Sequence, residues 1–399
     1  MNDLLKSLLV FAAATVFIAG CSSNDVQQRH ADLQEFTPSV KAKVVWKTRV
    51  GLGTEEHYTS LQPAYDDGIV YAAERYGLLV AHDVKTGKRV WQRDLGGKKR
   101  IFEHYPRGES ARLSAGPIIV GERIYLSSEN GVVYALDKSN GETIWQAKVK
   151  GEVMSAPAVD EGYVVVHLSN GFLVALSEED GTEQWTFEED TSLLSLRSVS
   201  RPVITAGGVV VGTGTGKLQV LLLESGRLAW EERIAAPKGS SDLERMTDVD
   251  GTPLIVGDTV FVSGYNGETV ALELRTGDVL WKRDQASASA PVLVRNRLIL
   301  VNQESHVVAL DRISGTELWR NSDLYFRSLT DVMLHGDYLA VGDRFGYVHW
   351  LNRQTGELVG RIELNEGDAI RTAPIKAEQN LVVQSAAGRL YLLELLEPK

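Results

Sequence analysis

Apolar residues along the chain come in short runs, such as Ile124-Tyr125-Leu126 and Val132-Val133-Tyr134-Ala135-Leu136, separated by polar turn residues. Runs of this length bounded by Gly, Asn and Asp predict strands rather than helices. They recur in groups of four short strands, and each group carries the same punctuation. In the clearest copy, Ser155-Ala156-Pro157 opens the unit, and Gly171, Gly181 and Trp185 follow the proline at 14, 24 and 28 residues. The same ruler fits Pro63/Gly77/Gly87/Trp91, Pro117/Gly131/Gly141/Trp145, Pro202/Gly216/Gly226/Trp230, Pro253/Gly267/Gly277/Trp281 and, with one substitution, Pro291/Ser305/Gly315/Trp319. A seventh copy is degenerate, with Val332, Gly346, Gly356 and Gly360 at the four positions, and an eighth begins at Pro374 and Gly388 before the chain ends. Eight units spaced 38 to 54 residues apart predict an all-β, eight-bladed β-propeller of four-stranded antiparallel blades.

Each mark on the ruler has a physical meaning. Asn-Gly pairs at the first glycine (Asn130-Gly131, Asn170-Gly171, Asn266-Gly267) suit the positive φ of a tight hairpin between the second and third strands. The second glycine, as in Lys85-Thr86-Gly87 or Arg275-Thr276-Gly277, makes the turn into the fourth strand. Small residues before the proline (Ser155-Ala156, Gly251-Thr252, Thr372-Ala373) suit an innermost strand, where blades converge on the axis. The tryptophans fall on the outermost strand, where twisted neighbours diverge and a large indole fills the gap. Trp91, Trp145, Trp185, Trp230, Trp281 and Trp319 are therefore expected to be blade anchors. The eighth unit lacks its own fourth strand, while Val44-Val45-Trp46-Lys47-Thr48-Arg49-Val50 is a fourth strand with no unit before it. An N-terminal strand carrying Trp46 is expected to complete the last blade and close the ring, placing the propeller at residues 42–399.

A length of 399 residues alone suggests two or three domains, but the repeats overrule that and imply one disc. The formal charge of −11 argues against general nucleic-acid binding. Residues 1–20 hold Lys6, an apolar run from Leu8 to Ala19 and Ile18-Ala19-Gly20 directly before Cys21, the one cysteine of the chain. The run is short for a membrane span and right for a secretory signal. Ile-Ala-Gly-Cys resembles a bacterial lipobox, which implies that Cys21 is acylated after cleavage. Ser22 after it resembles the signal that sorts lipoproteins to the outer membrane. Residues 21–41 are polar without a clear period and are expected to form a lipidated, flexible tether.

The interval from each Trp to the next Pro varies, being 26 after Trp91, 12 after Trp145, 17 after Trp185, 23 after Trp230 and 10 after Trp281. Variation in an otherwise fixed ruler marks connections where function is inserted, and all join an outer strand to the next inner strand on one face. The first long connection carries Lys98-Lys99-Arg100, Arg107 and Arg112, and its role stays open. The second holds Ser192-Leu193-Leu194-Ser195-Leu196-Arg197, the third Glu244-Arg245-Met246-Thr247-Asp248-Val249-Asp250. Leucines, an Arg and carboxylates on adjacent loops predict a protein-binding patch, although leucines tucked under the disc would read the same way.

Catalytic motifs fare poorly. Gly212-Thr213-Gly214-Thr215-Gly216-Lys217 lacks the first Gly and the Ser/Thr of a phosphate loop and precedes a strand. Asp248-Val249-Asp250-Gly251 lacks the third acid of a calcium loop and has Thr259 where the bidentate Glu belongs. The eight histidines show no paired metal spacing and no adjacent nucleophile. No catalytic residue, metal or cofactor is expected.

The unit with Tyr134-Ala135-Leu136-Asp137, Asn140-Gly141 and Trp145 resembles the quinoprotein-type propeller repeat. Quinoprotein alcohol dehydrogenases share eight tryptophan-bearing blades but typically use a vicinal Cys pair and a calcium site, so a periplasmic dehydrogenase using pyrroloquinoline quinone is the alternative. The lipobox, the eight blades and the loops Leu194-Ser195-Leu196-Arg197 and Asp248-Val249-Asp250 together resemble the BamB family, lipoproteins of the outer-membrane β-barrel assembly machinery. That resemblance implies a non-enzymatic scaffold, lipid-anchored in the outer membrane and facing the periplasm. It would bind the periplasmic domains of the barrel-inserting subunit BamA and help outer-membrane proteins fold and insert. It also implies that Leu194, Leu196, Arg197, Asp248 and Asp250 form the contact surface, with other assembly-complex subunits and unfolded outer-membrane proteins as further partners.

Overall fold

The computed structural model describes residues 30–396 apart from 55–56, 98–108, 192–199, 238–239, 242–244 and 366. Among these, strands form eight four-stranded antiparallel sheets in a ring, in the succession the ruler predicts. Blade 3 is typical: Ala158–Asp160, Tyr163–His167, Phe172–Ser177 and Glu183–Glu188 pair in that order from the axis outward. The two middle strands are buried on both faces and read as continuous Val/Leu runs. The core is correspondingly divided. Eight apolar clusters lie between neighbouring blades, the last joining blade 8 to blade 1 through Val50, Val382, Leu392, Val70 and Val80.

Tryptophan and glycine hold successive blades together. In blades 1, 2, 3, 5 and 6 the fourth-strand Trp faces an alanine on the third strand, as in Ala135↔Trp145 and Ala175↔Trp185, and in blade 4 it faces Val220; its indole leans onto the next blade. There it covers the turn glycine: a Cβ on Gly181 would lie 2.6 Å from Trp145, and one on Gly87 2.8 Å from Trp46. Those glycines also have positive φ (75° and 67°), so both the turn and the close approach exclude a side chain. For Trp46, Trp145, Trp185, Trp230 and Trp281 the indole N–H then bonds a carbonyl of the neighbouring blade, as from Trp46 to Val84 (2.7 Å), Trp145 to Glu178 (3.0 Å) and Trp281 to Arg312 (3.0 Å), whereas Trp319 Nε1 finds no partner.

The degenerate seventh unit keeps its indole by moving it inward. Trp350, fully buried on the third strand, pairs with Gly360 on the fourth, reversing the Ala–Trp order of blades 1, 2, 3, 5 and 6. The reason lies at the N-terminus. Blade 8 takes its outer strand from Lys41–Arg49, which pairs antiparallel with Arg389–Leu396 and puts Trp46 at the anchor position. The chain entering this strand crosses the blade-7 rim, where Val40 N–H donates to Val359 O (3.0 Å) and a Cβ on Gly360 would lie 2.8 Å from the Val40 carbonyl. An indole at 360 would occupy that path.

Residues 30–40 differ from the free tether expected for 21–41. Ala31 N–H donates to Tyr325 O (2.8 Å), and the Arg327 guanidinium donates to Ala31 O (3.1 Å). Leu33 packs on the cluster between blades 6 and 7. Arg361 donates to Gln34 O (3.3 Å), with its guanidinium 5.1 Å from the Phe36 ring centre. Backbone bonds and an apolar side chain outweigh the polar composition that suggested a loose segment.

Candidate functional site

The outer-to-inner connections and the hairpins between second and third strands share one face and are bonded to each other. Asn130 donates to Ser110 O, Asn170 to Lys150 O (2.9 Å) and Asn266 to Met246 O (3.1 Å). These are the Asn residues of the Asn-Gly hairpins, so their side chains fix the connections, the long first and third and the short one after Trp145, as well as making turns. At the third of them Asn266, not Gly267, takes the left-handed conformation (φ 50°). Below the first connection, a buried Arg75–Glu129 pair (2.6 Å) ties blade 1 to blade 2.

Leu194, Leu196 and Arg197 lie outside the described residues, as do Cys21 and Lys98-Lys99-Arg100. The two ends of the Leu194 connection are described, and one imidazole holds both. His167, at the end of the second strand of blade 3, directs Nδ1 at the Ser200 carbonyl (3.0 Å) and Nε2 at a Glu189 carboxylate oxygen (3.3 Å). All three residues are buried. Burial alone pulls an imidazole pKa down, but the Glu189 carboxylate, the Ser200 carbonyl and the charge of Asp250 outweigh it and hold His167 above its usual 6.5. Ser200 Oγ donates to Gly251 O (3.3 Å), linking the second connection to the end of the third.

Sequence reasoning missed His167. The signal was present: ten residues after the opening position, where His167 stands, the other units have Ala73, Ser127, Gly212, Ser263, Val301, Gly342 and Gln384. A titratable group where every other unit has an uncharged, non-titrating one marks a local task.

Asp248 and Asp250 face inward. Asp248 is 1% exposed and bridges to Tyr265, whose N–H donates to the Asp248 carbonyl (2.7 Å). Val249 N–H donates to Thr213 O (3.1 Å), and its side chain covers Gly212, so the backbone from Thr247 to Asp250 is drawn down onto blade 4. Asp250 is half-buried and lines the axial cavity. Of this connection, Arg245 is exposed and Met246 half-buried. The same backbone pattern of carboxylate, apolar residue, carboxylate is thus a base for the loop rather than its tip.

The axial cavity, of about 320 Å³, is walled by the small residues that precede the inner strands, among them Gly116, Ala156, Gly251 and Ala373, as their pattern predicts. Arg201, Asp250, Asp331 and Arg371 are the charged residues that line it. Burial, only partly offset by the Ala290 N–H, pushes the Asp331 carboxyl up to about 6, and burial lowers the Arg201 pKa. Among the described residues, no three His, Cys, Asp or Glu side chains are grouped to hold a metal ion.

A family model described as outer membrane protein assembly factor BamB matches residues 39–103, 104–321 and 304–397. The chain is 37% identical over 395 residues to the outer membrane protein assembly factor BamB of Yersinia pestis, covering 98% of this chain and 99% of that one. The protein of the same name from Escherichia coli K12 is 38% identical over 396 residues, covering 98% and 99%. The one from Alteromonas naphthalenivorans is 40% identical, covering 94% and 93%. Among solved structures, BamB of Moraxella catarrhalis superposes with a TM-score of 0.77 at 24% identity, covering 88% of this chain and 99% of that one. The quinohemoprotein alcohol dehydrogenase of Comamonas testosteroni superposes with a TM-score of 0.64 at 13% identity, covering 90% and 78%, a likeness of fold alone. With the family model spanning nearly all of the propeller and relatives of 37% to 40% identity along their whole length, the chain belongs to the family of the outer membrane protein assembly factor BamB.

Proposed function

We propose that this protein is a lipid-anchored, non-enzymatic scaffold that docks its connection-bearing face on the periplasmic domains of BamA and so assists outer-membrane protein assembly. The full-length match to proteins named as outer membrane protein assembly factors carries this reading. Cys21 is the acylation site, and the protein faces the periplasm from the outer membrane. Leu194, Leu196 and Arg197 supply the contact, apolar anchors beside a guanidinium that pairs with a partner carboxylate. Asp248 and Asp250, turned inward, act on that contact by shaping the neighbouring connection, while exposed Arg245 extends it.

The test is to replace Leu194, Leu196 and Arg197 together by Ala. Co-purification of BamA from detergent-solubilised outer membranes is expected to fall at least tenfold, with the melting temperature unchanged. A matching loss of thermal stability would make these residues part of the core and remove the contact. The dehydrogenase reading has the shared fold in its favour, and incubation with pyrroloquinoline quinone and Ca²⁺ separates the two. Bound quinone absorbance with alcohol oxidation would displace the scaffold.

A further inference from the structure

The structure determines where any leash must leave the disc. Residues 30–40 run over blades 6 and 7 and are held at intervals: Ala31 by Tyr325 and Arg327, Leu33 in the inter-blade core, Gln34 and Phe36 by Arg361, and Val40 by Val359. Arg327 is itself fixed, buried between Asp343 (2.7 Å) and the Phe345 ring (4.4 Å to its centre). Asp343 in turn meets His349 Nε2 at 3.0 Å, so the first hold on the segment belongs to a buried network and not to a mobile surface side chain. His30 lies against Phe345, with ring centres 4.5 Å apart. Phe345 occupies the hairpin between the second and third strands of blade 7, and that hairpin stands on the face of the long connections.

We propose that residues 30–40 are a strap that sets the attachment point of the lipid anchor, so that the blade 6–7 edge of the connection-bearing face is the edge held next to the membrane. The inference deepens the scaffold reading and rests on acylation of Cys21. Without the strap, twenty residues would separate Cys21 from the propeller strand at Lys41, a reach of roughly 70 Å. With it, ten residues separate Cys21 from Ala31, and the reach falls to about 35 Å. Halving the leash and attaching it off-axis removes most orientations available to a freely tethered disc. The edge so presented suits a headgroup layer. Exposed Arg344 lies over half-buried Phe345, with its guanidinium 4.8 Å from the ring centre, and half-buried Tyr325 and Phe326, on the loop that holds Ala31, pack on each other with ring centres 4.2 Å apart. Arg and aromatic side chains together are the pairing that settles at a lipid interface, where the chain's net charge of −11 would otherwise be repelled by anionic headgroups.

Because Cys21 is the sole cysteine and is consumed by the lipid, a second cysteine gives one labelling site. Full-length lipidated protein carrying a fluorophore at Arg344→Cys (blade 7) or at Asn170→Cys (blade 3, across the ring) is reconstituted into vesicles of phosphatidylethanolamine and phosphatidylglycerol bearing a headgroup quencher. Quenching is expected to be at least threefold stronger at 344 than at 170. In a Leu33→Asp, Arg361→Ala background the ratio is expected to drop toward one, while the melting temperature of the soluble disc reports whether the ring still folds. Equal quenching at both sites in protein shown by mass spectrometry to be acylated overturns the strap. An unacylated Cys21 in that same measurement overturns the lipid anchor itself, and the strap's role with it.

Discussion

An imidazole with a carbonyl oxygen at one nitrogen and a carboxylate at the other has no neutral tautomer that satisfies both, since each oxygen needs an N–H. His167 is so placed between Ser200 and Glu189, and its pKa is raised accordingly. A raised folded-state pKa stabilises fully below the unfolded value near 6.5, and that contribution is lost as pH rises through the folded-state pKa. The melting temperature of wild type relative to His167→Gln is therefore expected to be highest at pH 6 and to shrink toward pH 9, as read by thermal scans across that range. A difference independent of pH would mean that only shape is lost. Composition identified the carboxylates of the third connection but not their direction. Asp248 and Asp250 look alike on paper to solvated tips, and the contact of Val249 with Gly212 that turns them inward joins a connection to a strand far from it in sequence. His167 was legible only by comparing equivalent positions across repeats.

At the scale of the strand, the repeat was readable because its constraints are local or nearest-neighbour. A turn glycine with positive φ and the indole that covers it lie in adjacent units at a fixed spacing, so they leave a ruler in the chain. The seventh unit broke the ruler for a reason that spacing does not carry. Gly360 answers to Val40, a residue from the far end of the chain, and Trp350 takes over on the neighbouring strand. Gly360→Trp, which restores the apparent consensus, is expected to destabilise by about 1–3 kcal/mol through overpacking. The damage should be directional. Amide exchange in Lys41–Arg49 should accelerate while blade 3 stays protected, and uniform acceleration or none would show that Val40 does not depend on the gap.

For the whole molecule, the ring, its blade number and its mode of closure followed from the repeat, whereas the strap over blades 6 and 7 did not, because polar composition hides backbone hydrogen bonding. Removing residues 30–49 should leave blade 8 with three strands and an open edge at Arg389–Leu396. Cooperative thermal unfolding is expected to give way to a broad transition with light scattering from edge-to-edge association. A sharp, unshifted transition would show that the ring closes without that strand. The pairing of the first propeller strand with the final one also orders events in time. Lys41–Arg49 precedes every other strand in synthesis and export and Arg389–Leu396 follows them, so the strands of the other seven blades are all present before the eighth can be completed. Ring closure thereby reports that the chain extends through Arg389–Leu396, and a product truncated before that strand is expected to leave Lys41–Arg49 without its partner.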